Sequence, residues 1–130
     1  MEFRLEYEFN VDAQTLYRAW LDSEQHSEMT GGEAVISTIE GEKFTAWDEY
    51  ITGSNIELKP NTYIKQSWRS SQFLDDQPDS ILELYFEDLE SGRTRITLIH
   101  SNLTNSKEDK AYEKGWIENY FKPMSEYFTL

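Results

Sequence analysis

Polar and apolar residues alternate strictly at the start of the chain. Phe3, Leu5, Tyr7 and Phe9 interleave with Glu2, Arg4, Glu6 and Glu8, which predicts a strand with one apolar and one charged face. Asp12 then offers a carboxylate to the first-turn N–H groups of a helix, and Ala13, Leu16, Tyr17 and Trp20 recur at helical spacing. Asp22 opens a second short helix through Met29, which Thr30-Gly31-Gly32 ends. From Glu33 to Ser101 short β-prone runs are separated by turn residues: Gly41-Glu42, Asp48-Glu49, Lys59-Pro60-Asn61, Asp75 to Asp79 and Glu90-Ser91-Gly92. Six further strands are expected, approximately at 34–40, 43–47, 50–58, 63–70, 80–89 and 93–101. The period becomes helical again from about Ala111 to Phe128, with Trp116, Tyr120, Phe121, Met124 and Phe128 on one stripe. Pro123 lacks the N–H that would reach the Asn119 carbonyl and should bend this helix.

The predicted architecture is therefore α+β in one domain over residues 1–130. A curved antiparallel sheet of seven strands grips a long C-terminal helix, with two short helices after the first strand. Strand parity turns Phe44, Ile64, Gln66, Trp68, Leu82, Leu84, Phe86, Ile96, Leu98 and His100 toward the helix, where Trp116, Tyr120 and Met124 meet them. The space between is mainly apolar. Gln66, Trp68, His100 and Tyr120 carry polar atoms there that each need a partner: a neighbour, a water molecule or a ligand. The expected ligand-binding set is Phe44, Gln66, Trp68, His100, Trp116 and Tyr120.

Charge narrows the range of partners. With 25 acidic and 12 basic residues the net charge is −13, which repels a phosphate backbone and an anionic membrane, so neither nucleic acid nor membrane is an expected partner. The chain has no cysteine, which excludes disulfides, thiolate metal sites and cysteine nucleophiles. The N-terminus lacks the basic flank and apolar run of a signal peptide, and a cytoplasmic location is expected.

Catalytic chemistry finds little support. His100 and His26 are the only histidines, they are not at metal-ligand spacing, and His100 reads as a satisfied core residue in preference to a general base. Asp75, Asp76 and Asp79 lack the glycine and distal glutamate of a calcium loop. Glu83 and Glu87 share a wet strand face, Ser67, Ser70 and Ser71 have no triad around them, and the glycines are too scattered to cradle phosphate. No metal, cofactor or enzymatic activity is expected.

Several local strings, in order along the chain, extend the picture. They are Thr30-Gly-Gly-Glu-Ala-Val-Ile36, Gly41-Glu-Lys-Phe44, Ile51-Thr-Gly53, Glu57-Leu-Lys-Pro60, Ile64-Lys-Gln-Ser-Trp-Arg69, Ile96-Thr-Leu98, Gly115-Trp116 and Tyr120-Phe-Lys-Pro123. Over about residues 30 to 124 the chain resembles the family containing the C-terminal domain of the activator of heat shock protein 90 ATPase. That family lies within the START-like, helix-grip superfamily of polyketide cyclases and birch-pollen-allergen-like proteins. The resemblance implies a helix-grip fold and one of two roles: a co-chaperone or stress-response module in contact with a heat shock protein 90 chaperone, or a carrier or sensor of a small hydrophobic ligand. A cyclase or lyase working through His100 is a weaker alternative.

Overall fold

The computed structural model describes residues 2–104 and 106–129. Asp12 caps α1 (Ala13–Leu21) by accepting from the Thr15 N–H at 2.9 Å, and Asp22 caps α2 (Ser23–Thr30) through the Glu24 N–H at 3.0 Å. Gly31, at φ +86°, stops α2 in the left-handed conformation that costs a residue without Cβ nothing. Both helices follow β1 (Phe3–Phe9), as the alternation and capping residues require.

The sheet has six strands in the order β1-β6-β5-β4-β3-β2, where β2 is Lys43–Ala46, β3 Ile51–Lys59, β4 Tyr63–Ser70, β5 Ser80–Asp88 and β6 Thr94–Ser101. All pairings are antiparallel. The expected strand at 34–40 does not form, and only Val35 bridges Thr45. Hydroxyl groups take the N–H groups that a ladder would have used: Ala34 N–H donates to Ser27 Oγ, Ile36 N–H to Ser23 Oγ and Ile39 N–H to Ser37 Oγ. The segment lies against α2 as an irregular strap.

Parity in the central strands follows the sequence. Ile64, Gln66, Trp68, Leu82, Leu84, Phe86, Ile96, Leu98 and His100 all face inward and are buried. Leu84 pairs with both Ile64 and Leu98, so the center of the sheet presents a continuous aliphatic layer. Against it pack Leu16, Ala19 and Trp20 of α1 and Phe121 and Met124 of the C-terminal helix. Most of the space expected between sheet and helix is thus filled core. Among the described residues, no helix is long and apolar enough to cross a membrane.

The C-terminal helix runs as α3 (Ser106–Trp116), a π-helical turn at Ile117–Phe121 and α4 (Lys122–Tyr127). Lys122 N–H donates to the Ile117 carbonyl, five residues back, and Pro123 then stands at the start of α4. Widening the turn meets the disruption expected from the proline, which has no N–H to give and whose ring crowds the preceding turn.

Candidate functional site

Where the filled core ends, toward the start of β3 and the end of β4, the helix and the sheet stand apart and leave a cleft of about 590 Å³. Its walls are Trp47, Tyr50 and Ile51 at the β2–β3 turn, Trp68 of β4, Gln72 just after it, and Ala111, Tyr112, Gly115, Trp116, Asn119 and Tyr120 from the helix. Six of these residues are aromatic and none is charged.

Three of the expected ligand-binding residues, Trp68, Trp116 and Tyr120, line this cleft. They pack in a tilted row, with Trp68 and Trp116 ring centers 5.9 Å apart and Trp116 and Tyr120 4.5 Å apart. Burial pushes the Tyr120 phenol well above its usual range, so it is a neutral hydroxyl, and the Trp47 indole beside it opposes that shift only in part.

Gln66 and His100 do not reach the cleft, because protein groups already satisfy them. Gln66 accepts from Trp20 Nε1–H at 3.3 Å and donates to Asn55 Oδ1 at 2.8 Å, and the Asn55 amide in turn donates to the Ser37 and Ile39 carbonyls. This buried chain ties α1 to the strap across the sheet. His100 accepts at Nδ1 from Trp116 Nε1–H at 3.1 Å. An indole only donates, so the imidazole proton sits on Nε2 and is given to Ser80 Oγ at 2.8 Å; that hydroxyl passes its own proton to the Trp68 carbonyl at 2.7 Å. Burial holds His100 neutral, with its pKa lowered to about 3. With both nitrogens engaged and no solvent exposure, it orients Trp116 and has no lone pair left for a substrate.

Phe44 is also absent from the cleft. It lies opposite Gly53 in the β2–β3 pair, and its ring occupies the space that a side chain at 53 would need.

Trp47 and Tyr50 also belong to the cleft, outside the set expected from the sequence. They flank a turn in which Trp47, Asp48 and Glu49 all have positive φ (51°, 57° and 72°), an uncommon run for residues with side chains. The turn is held in place by Asp48 N–H donating to the Glu33 carbonyl at 2.9 Å and Glu33 N–H donating to Asp48 Oδ1 at 3.0 Å. Gly32 lies so close beneath Trp47 that a Cβ there would come within 2.5 Å of the indole. The Thr30-Gly31-Gly32 string therefore both ends α2 and seats a cleft residue. Among the described residues no cluster of three or more metal-ligating side chains occurs.

A family model described as activator of Hsp90 ATPase homolog 1-like protein matches residues 10–129. The chain belongs to this family. Solved structures agree on the fold of this activator-of-Hsp90-ATPase-like domain. An HSP90 activator from Plasmodium falciparum superposes with a TM-score of 0.83 at 21% identity, covering 94% of this chain and 91% of that one. The Aha1 dimer from Colwellia psychrerythraea gives 0.82 at 10% identity over 98% and 96% of the two chains. A putative protein of the dynemicin biosynthetic locus gives 0.82 at 13% identity, covering 98% of this chain and 47% of that one. No curated protein matches the sequence. The helix-grip fold expected from the sequence is thus shown, with six strands in place of seven.

Proposed function

We propose that this activator-of-Hsp90-ATPase-like domain is a non-enzymatic binding module that holds a small, mainly apolar ligand in the cleft between its C-terminal helix and the β3–β4 side of the sheet. The observation that carries this reading is a 590 Å³ cleft walled by six aromatic residues and rimmed by the amides of Gln72 and Asn119. Small-molecule pockets begin at roughly 300 Å³ and combine apolar walls with a few polar groups. The cyclase or lyase alternative needs a base, and His100 has both ring nitrogens in use.

Gly115 gives a test that spares the core. A Cβ at that position meets only Asn119 Nδ2, at 3.7 Å, and both residues line the cleft. Gly115→Ala removes a glycine from a helix interior and should raise stability by about 0.5–1 kcal/mol in denaturant titrations. Gly115→Leu should fold normally, yet bind hydrophobic ligands at least about tenfold more weakly because its side chain occupies the cleft. Native mass spectrometry should find a co-purified mass on the wild type that Gly115→Leu lacks. Equal ligand occupancy in both proteins would place the ligand elsewhere.

Family membership and the likeness to an HSP90 activator over 91% of that chain favor a second reading, a surface contact with a heat shock protein 90 chaperone. Titration with the host chaperone, following complex formation and ATPase rate, should then show binding in the micromolar range. No binding at tens of micromolar would exclude that contact.

A further inference from the structure

Within the ligand reading just given, on which this inference rests, we propose that the cleft selects an organic cation: an alkylated ammonium head carried on a small apolar body. Three observations carry the proposal. The first is the arrangement of the rings. Six aromatic residues line the cleft, and neighboring rings in that lining pack edge-on or tilted against each other, Trp47 at 80° to Tyr120, Trp68 at 78° to Tyr112 and Trp68 at 48° to Trp116. The lining therefore presents ring faces and edges in several directions, and an alkylammonium head is a rounded group that can meet more than one of them.

The second is charge. None of the described lining residues is cationic, so nothing in the walls repels a positive head or pairs with a carboxylate or phosphate. Arg69 lies over Phe73 at 5.5 Å, and Phe73 in turn packs edge-on against Trp68 with ring centers 6.0 Å apart. The Arg69 charge is taken by Asp79 at 3.0 Å and by the Leu74 and Gln77 carbonyls. Lys110 and Lys114 are exposed on α3, and exposed Asp48 and Glu49 stand on the rim turn. Over the whole molecule the net charge of −13 draws cations and repels anions.

The third is the position of the aromatic groups. Tyr50 is 41% exposed, while Trp68, Trp116 and Tyr120 are buried, so the cleft grades from a wet aromatic mouth to a dry floor. A cation at the mouth keeps part of its hydration and gains the ring quadrupoles, while its apolar body enters the floor.

The experiment compares three probes of matched size by tryptophan emission: a naphthylmethyl-trimethylammonium ion, its uncharged carbon isostere neopentylnaphthalene, and naphthylmethanesulfonate. The ammonium ion should bind at least about tenfold more tightly than the isostere at low salt, the sulfonate weakest, and the ratio should narrow as salt rises. Tyr50→Leu, at an exposed position that the fold does not depend on, should lower the cation-to-isostere ratio by roughly threefold. Gly115→Leu should weaken both probes, which separates the cleft from the acidic surface. If the isostere or the sulfonate binds as tightly as the ammonium ion, selection for a cation is overturned and the ligand reading stands. If none of the three binds below about 1 mM, both fall.

Discussion

Replacing Gly53 by alanine is expected to unfold the protein or to lower its melting temperature by more than about 15 °C, corresponding to about 4 kcal/mol or more. A Cβ on residue 53 would lie 1.9 Å from the Ser67 carbonyl oxygen and 2.7 Å from the Phe44 ring. The first collision is with backbone in the neighboring strand, which cannot turn aside as a side chain can. Relief requires β3 and β4 to separate just where Thr52 pairs with Arg69, ahead of the irregularity between Asn55 and Glu57. That separation moves Trp68 and Ile51, two walls of the cleft. Thermal melts of Gly53→Ala beside Gly115→Ala compare two glycine substitutions of opposite expected sign. A Gly53→Ala protein that melts like the wild type would mean that the strands do not approach as closely as described.

The second large effect is a loss of stability in mild acid that originates in two buried histidines. His26 is 2% exposed; its Nδ1–H donates to the Trp20 carbonyl at 2.8 Å, and Nε2 has no hydrogen-bond partner among the described residues. Burial lowers its pKa to about 4 and that of His100 to about 3, from 6.5. In both cases the folded value lies below the unfolded one, so between the two the unfolded chain takes up protons that the folded chain refuses. The stability held by each neutral ring is complete above about pH 6.5 and is lost as pH falls from there toward 4 and 3, at up to about 1.4 kcal/mol per pH unit for each histidine. Over the full window each ring accounts for about 3 kcal/mol or more, enough to bring a domain of ordinary stability close to unfolding. Urea titrations between pH 7 and 4.5 should show this slope. The double variant His26→Gln/His100→Gln, which keeps an acceptor and a donor at each site, should start less stable and vary less with pH. An unchanged slope in the double variant would assign the acid sensitivity to carboxylates instead.

The fold was legible wherever one rule decided the structure. Tyr63–Ser70 forms as the alternation requires, because Ile64, Gln66 and Trp68 must share the buried face once Lys65 and Arg69 are kept in water. The strand expected at 34–40 failed because Ser23, Ser27 and Ser37 capture its N–H groups, and two of those serines are remote from it in a way that periodicity does not register. The site was legible in part for a related reason. Parity says which face a residue is on, and it correctly turned Phe44, Gln66 and His100 inward. It does not say that Gly53 would leave a slot for Phe44, or that Asn55 and Trp20 would satisfy Gln66 while Trp116 and Ser80 satisfy His100. Trp47 and Tyr50 are not legible from periodicity because three successive left-handed residues redirect the chain there, and the one local signal is Gly32, whose missing side chain leaves room for the indole.

The chain has four tryptophans, and they make the most direct test of the cleft. Trp47, Trp68 and Trp116 line it, whereas Trp20 points its N–H at Gln66 in the buried network outside it. In nitrogen-15 correlation spectra, naphthyl probes seated in the cleft should shift the indole signals of Trp47, Trp68 and Trp116 in a saturable way and leave Trp20 close to its free position. Saturable shifts confined to other parts of the molecule, or no shift of the three cleft indoles at probe concentrations up to about 1 mM, would contradict a ligand site between helix and sheet.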